Sequence, residues 1–352
     1  MISEFNYLES DRAVFEQEFA SRLPDVIFDN HIHCWSKECL NISRSDYALY
    51  KDYKPWTDFD FIEEFTIDDY LACVGEIFPG RKCQAAYFGL PFPQIDRDRS
   101  NAYIAKRATE IGAGFYYMPG QFEDMDEADQ RHRLLDNPYF IGLKPYPDLV
   151  AGGGGDASIY DMLNRSALEF ANRHSLPVIL HLPRKGRLHD ERNRLELEEI
   201  LTNYPDIRMI VAHFGRAFCY ADAVGVLDFL AKYENAWFDT AFVDDPQVYE
   251  YVMRLVPSEK ILYGSDAPLA LTRGKDVVIN NKHYYVAGHT VPWGLGPMKE
   301  GFVDLTYYVY EQIRAMLYAA ANVYGRNEER HIENIFHMNA MRVLGEKGKI
   351  YA

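Results

Sequence analysis

Residues 158–183 read SIYDMLNRSALEFANRHSLPVILHLP, and the two halves of this stretch follow different periodicities. In the first half Ile159, Met162, Leu163, Ala167, Phe170 and Ala171 recur at three- and four-residue intervals, which lines them up on one face of a helix. Ser158, with Asp161 three residues on, is a capping-box start. In the second half Pro177 opens a run, Val178 to Leu180, that is apolar at every position and stops at His181. Such a run suits a strand covered on both faces. An amphipathic helix leading into a doubly covered strand is half of a βαβ unit, so the sheet should be parallel.

The unit repeats in both directions. Apolar runs at 26–33, 83–89, 114–118, 140–144, 209–213, 236–240 and 261–265 join 177–181 to make eight. Helical patterns lie at 99–111, 159–174, 190–204, 222–233 and 246–256. Eight α/β units of about 30 residues each fit a closed (β/α)8 barrel better than an open sheet. Two segments break the rhythm, at 35–65 after the first strand and at 269–300 after the eighth. Both should leave the barrel at its C-terminal face and cover a substrate there, with a dimer contact or plain surface as the alternative. The glycine run 152–155 lacks the Lys-Ser/Thr of a phosphate loop. With no linker or repeat, 1–352 reads as a single domain with inserted loops after strands 1 and 8 and a C-terminal helix.

Composition bounds the function. The chain is 48% hydrophobic and 26% charged, so it can bury a core of enzyme size. A formal charge of −16 argues against nucleic acid or an anionic membrane as partner. Five cysteines, Cys34, Cys39, Cys73, Cys83 and Cys219, form no disulfide framework, and no apolar run approaches a membrane span. A cytoplasmic protein acting on a small molecule is expected, and a homo-oligomer is left open.

The strand ends carry the chemistry. DNHIH ends the first strand, and residues two apart on a strand point the same way, so His31 and His33 can present two imidazoles together. PVILHLP places His181 at the end of the fifth strand, MIVAHFG places His213 at the end of the sixth, and ILYGSDAP places Asp266 at the end of the eighth. Any one of them alone is more simply a satisfied core residue. Five such groups aimed at one rim need a cation or one another. Lys144, closing the fourth strand in FIGLKPYP, can be a salt-bridge partner, a contact for a substrate carboxylate or a carbamylated metal ligand. Asp239, closing the seventh, can orient a histidine or cap the helix that follows.

Taken together, DNHIH, GLK, His181, AHFG, GSDAP and the C-terminal IENIFHMNAMRVLG resemble the amidohydrolase superfamily, and within it the amidohydrolase-2 group that includes aminocarboxymuconate-semialdehyde decarboxylase and related hydrolases. The resemblance implies a TIM barrel with a divalent metal, zinc or alternatively manganese, on His31, His33, His181 and Asp266. It makes His213 a group that polarises the substrate or binds a second metal. The expected reaction is hydrolysis of an amide, lactone or ester, with Asp266 as base towards water and His213 stabilising the oxyanion. Non-oxidative decarboxylation of a small carboxylic acid on the same ligands is the alternative, and a non-catalytic small-molecule-binding barrel is the rival from another class. The cations that follow the ligand-bearing strands, above all Arg184, Arg216 and Arg273, together with Lys144, point to an anionic substrate, with exposure to solvent or pairing with surface acids as the alternative.

Overall fold

Val26–His33 is strand β1, and every residue after its first is buried. It opens a sheet of eight parallel strands in strict sequential order. The others are β2 (Lys82–Phe88), β3 (Gly114–Tyr117), β4 (Phe140–Leu143), β5 (Pro177–Leu180), β6 (Arg208–Val211), β7 (Ala236–Asp239) and β8 (Ile261–Leu262). The computed structural model describes residues 5–41, 64–92, 94–119, 128–150, 154–287, 294–297 and 304–351. Although β8 has two residues, the sheet nearly closes. The N–H groups of Asn30 and His33 donate to the carbonyls of Tyr263 and Ala267, and the Asp266 N–H donates to the His31 carbonyl. The expected (β/α)8 barrel is therefore present.

Phe28, Ala86, Tyr116, Ile141, Ile179, Ile210 and Leu262, one from each of seven strands, form a cluster separate from the main core. These side chains fill the barrel as a packed layer. Ala340, Val343, Leu344 and Tyr351 belong to the same cluster and close it from the strands' starting ends. The Tyr351 hydroxyl donates to the Ala85 carbonyl at 2.6 Å and accepts from the Gly114 N–H at 2.7 Å. Asn339 donates to the carbonyls of Ser258 and Ile261, and Arg208 donates to that of Val343. Gly114, Arg208 and Ile261 open their strands and Ser258 lies just before β8, so the C-terminal segment seals one mouth and leaves the other for the site.

Two helices differ from expectation. The pattern at 159–174 is split into Ile159–Met162 and Arg165–Arg173. Asn164 accepts the Ala167 N–H through its side chain and starts a new helix. The pattern at 222–233 resolves into Tyr220–Ala223 and a 3-10 turn, Asp228–Lys232, separated at Gly225, whose φ is +75°. No helix among the described residues is long and apolar enough to cross a membrane.

The expected insertions also take shape. Residues 42–63 of the first lie outside the described residues, but Trp35 and Phe65 pair backbone to backbone at its base. Residues 288–293 and 298–300 of the second also lie outside the described residues, and the rest of it is not a simple loop. Gly274–Ile279 (β9) and Lys282–Ala287 (β10) form an antiparallel hairpin, and Gly294–Pro297 (β11) pairs with β10. Its two-residue turn, Asn280-Asn281, has φ of +52° and +60°, the left-handed pair that matches the twist of the flanking strands.

Candidate active site

Strict alternation would put Phe28 and His31 on opposite faces of β1. Phe28 lies in the barrel interior, whereas Ile27 and Ile32 pack in the outer core. The register against β2 slips between Asp29 and Ile32. This irregularity reverses the parity and turns both His31 and His33 inward.

The hydrogen bonds then fix what each imidazole offers. Nδ1 of His31 lies 2.8 Å from Oδ2 of Asp239, and Nδ1 of His33 lies 3.0 Å from the Gly89 carbonyl. Both partners are acceptors, so in the neutral ring each Nδ1 carries the proton and each Nε2 carries the lone pair. The two Nε2 atoms are each 3.4 Å from Oδ1 of Asp266. Three acceptors therefore converge with no hydrogen of their own among them, an arrangement that calls for a cation, and the Lys144 ammonium stands beside only one of them. Burial pushes the His31 imidazole down, with Lys144 adding to the effect against the pull of Asp239. Burial would raise the Asp266 carboxyl, but His33, His31 and His213 hold it well below the usual carboxylate range. The donor set fits a divalent metal, and its outward nitrogens are anchored as metal-bound histidines usually are.

Asp239 serves two residues. Its Oδ1 accepts the backbone N–H of His213 at 2.7 Å while Oδ2 holds His31. The reading of Asp239 as an orienting group matches this geometry. His213 takes φ of +55° and Asp266 φ of +70°. Such non-glycine backbones cost of order 1–3 kcal/mol each and persist only where neighbours enforce them. Gly264 is required beside them, because a Cβ there would stand 2.7 Å from Cβ of His31.

His213 sits with its ring centre 4.9 Å from that of His31 and 5.2 Å from that of His181. Its Nδ1 donates to the Ala241 carbonyl at 2.7 Å, which leaves Nε2 as an acceptor. Burial, chiefly, pushes this imidazole down to about 4, so it is neutral at pH 7. His181 stands beyond His213, its ring tilted against Tyr146 at 4.4 Å, and its buried Nδ1 has no hydrogen-bond partner among the described residues. Burial first, then Arg216, His213 and Lys144, hold it well below the ordinary imidazole value. Lys144 is fully buried with Nζ 3.4 Å from Nε2 of His31, above the Phe88 and Tyr146 rings. Burial lowers its ammonium to about 8.

The arginines divide. Arg216 lies beside Tyr146 and donates to the carbonyls of Leu182 and Arg184. Arg184 is committed to Glu196 at 2.7 Å and to Asn193 at 2.7 Å. Arg273 forks onto Asp11 and donates to the Asn6 and Leu305 carbonyls. The structure thus brings Lys144 to the histidine cluster, sets Arg216 at its edge, and ties Arg184 and Arg273 into internal ion pairs.

Tyr146 and Asp29 belong to the site and were not foreseen. Asp29 accepts from Ser265 N–H at 2.9 Å, Tyr70 hydroxyl at 3.1 Å and His31 N–H at 3.2 Å, tying β1 to the Asp266 turn. DNHIH carried the signal for Asp29, since an acid two residues before a ligand can hold its backbone. Tyr146 had none.

The amidohydrolase family model matches residues 28–345. The chain belongs to the amidohydrolase-2 family. Members of that family are metal-dependent enzymes, and the matched span takes in every strand-end residue described above. Similar solved structures include 4-oxalomesaconate hydratase from Rhodopseudomonas palustris, at 14% identity and TM-score 0.53, over 93% of this chain and 100% of that one. A probable 2-pyrone-4,6-dicarboxylic acid hydrolase from Acinetobacter baumannii, with citric acid bound, aligns at 13% identity and TM-score 0.53, over 91% and 99%. Dihydroxybenzoic acid decarboxylase from Polaromonas sp. JS666, with manganese and 2-nitroresorcinol bound, aligns at 12% and 0.50, over 91% and 97%. At these identities the likeness is one of fold. No curated protein matches the chain in sequence.

Proposed function

We propose that this amidohydrolase-2 family member is a metal-dependent hydrolase that cleaves an amide, lactone or ester of a small carboxylate-bearing molecule. The observation behind this reading is the meeting of two Nε2 lone pairs and the Asp266 carboxylate at 3.4 Å. His31, His33 and Asp266 would hold the ion, zinc or manganese, and His181, which stands beyond His213 and outside that three-donor group, would be the further ligand. When bound, the ion supplies Lewis acidity and lowers the pKa of water towards neutrality. Asp266 takes the proton from water at a carboxylate oxygen and passes it to the leaving group. Neutral His213 offers an acceptor and so orients an O–H, which leaves charge stabilisation on this chain's side to the Lys144 ammonium. We expect Lys144 to remain unmodified, facing the substrate.

Decarboxylation of a carboxylic acid is the second reading, favoured by that same buried ammonium beside the donor set. The similar structures named for a hydratase, a hydrolase and a decarboxylase all concern carboxylic acids, which supports an anionic substrate under either reaction. Protein purified without chelator should contain an ion that His33→Ala loses, and chelation should abolish turnover until metal is returned. A wild-type protein that stays metal-free after reconstitution would overturn the proposal. Release of CO2 without uptake of labelled oxygen from water would select the decarboxylase.

A further inference from the structure

Cys219, Asp222 and His283 meet at the outer side of the barrel mouth, away from the residues assigned to the reaction. Cys219 and Asp222 share one turn after β6, closed by the Asp222 N–H donating to the Cys219 carbonyl at 2.9 Å. His283 comes from β10, on the inserted hairpin. Sγ of Cys219 is 3.5 Å from Oδ2 of Asp222, and Nδ1 of His283 is 3.6 Å from the same oxygen. One donor atom from each residue falls within 4.8 Å of the other two. Tetrahedral zinc with ordinary bond lengths needs about 3.5 Å between sulfur and oxygen ligands and about 3.3 Å between nitrogen and oxygen. The sulfur–oxygen and nitrogen–oxygen pairs stand at or near those separations, and sulfur and nitrogen lie within 4.8 Å of each other.

We propose that Cys219, Asp222 and His283 form a second zinc site, a clasp that fastens the inserted hairpin to the barrel. Thiolate, imidazole and carboxylate together select a thiophilic dication over magnesium or calcium. The Asn280-Asn281 turn sets the Asn281 carbonyl 3.5 Å from Sγ, where an oxygen can complete the fourth position. Arg187 donates to the same Oδ2 of Asp222 at 2.6 Å, fixing the carboxylate as ligating carboxylates are commonly fixed from outside. Phe218 lies between the two centres, its ring 5.0 Å from His283 and 5.9 Å from His213. An ion in the clasp therefore orders a wall of the active site.

The test uses the full chain, reduced, stripped with chelator and titrated with Co2+ in place of Zn2+. The clasp contains sulfur and the barrel-mouth cluster does not, so a near-ultraviolet sulfur-to-cobalt charge-transfer band reports the clasp alone. The band should appear in wild type, persist in His33→Ala, vanish in Cys219→Ser, and need at least ten-fold more Co2+ in His283→Ala. Persistence in His33→Ala also separates this site from the proposed catalytic ion. No band in wild type at saturating Co2+, or a band that survives Cys219→Ser, overturns the clasp. Circular dichroism checks each variant. Should Cys219→Ser not fold, Asp222→Asn and His283→Ala decide, since an unchanged Co2+ midpoint in both overturns the proposal equally.

Discussion

The 2.8 Å bond between Nδ1 of His31 and Oδ2 of Asp239 joins two fully buried residues 208 positions apart, and it dictates which nitrogen of His31 is free to bind a metal. Burial would raise the Asp239 carboxyl, but His31 and His213 hold it below its ordinary value, so it stays an ionised acceptor. Asp239→Asn keeps the shape and can still accept the His213 N–H. Its amide nitrogen would then face His31 Nδ1 as a donor and drive the proton to Nε2. Metal affinity should fall about 10–100-fold with little change in fold. An unchanged dissociation constant in a competition titration would disprove the tautomer argument.

Gly264 tests the packing behind the same histidine. Alanine there must push against Cβ of His31, which stands 2.7 Å from the new methyl position. Overpacking of this kind costs typically 1–3 kcal/mol. Gly264→Ala should lower the urea midpoint and weaken metal binding together. A stable variant with normal metal affinity would show that β1 can yield.

The arginines make opposite predictions. Arg216→Met should cost roughly 1.5–3 kcal/mol of binding for an acidic substrate and little for its methyl ester. Arg273 is engaged with Asp11, so Arg273→Met should lower stability and leave the acid-to-ester ratio as it was. Steady-state kinetics on the two compounds separates these outcomes, and equal losses on acid and ester in Arg216→Met would remove that residue from carboxylate recognition.

Asp276 provides a pH-dependent test of the insertion. Burial foremost pushes its carboxyl up to about 6, while His283, Tyr308 and Lys275 pull it down. Its folded value lies above its unfolded one, so the native state binds the extra proton and this stability is lost as pH rises through about 6. Asp276→Asn still accepts from the Tyr308 hydroxyl and carries no charge to bury. It should be about 1–3 kcal/mol more stable than wild type at pH 8 and nearly equal at pH 4. Urea melts at both pH values check this, and a variant that gains nothing at pH 8 would refute the assignment.

The barrel was legible because several of its runs stay apolar until a polar residue follows them. His181, His213, Lys144 and Asp266 sit just past the ends of β5, β6, β4 and β8. The slip in β1 was hidden, since alternation alone places His31 and His33 together without saying which face they take. The inserted sheet was hidden by its glycines and prolines, although Asn280-Asn281 between Val278, Ile279 and Tyr284, Tyr285 is a hairpin signal. Fates of the arginines were not legible. Arg184 finds Glu196 on the helix that follows, and Arg273 finds Asp11 262 residues back, a pairing that only the folded chain creates.

The seal at the barrel's closed mouth also sets a clock. Tyr351 bonds to Ala85 and Gly114 across 266 and 237 residues of chain. At roughly 5–20 residues per second of synthesis, the ribosome takes on the order of 10–50 s to deliver Tyr351 after Ala85 has been made. For roughly the first two-thirds of that interval the aromatic and aliphatic lining of the early strands has neither its closing strand nor its plug, and for the rest it still lacks the plug. The nascent chain is then most open to aggregation, and a holding chaperone has its longest opportunity to act.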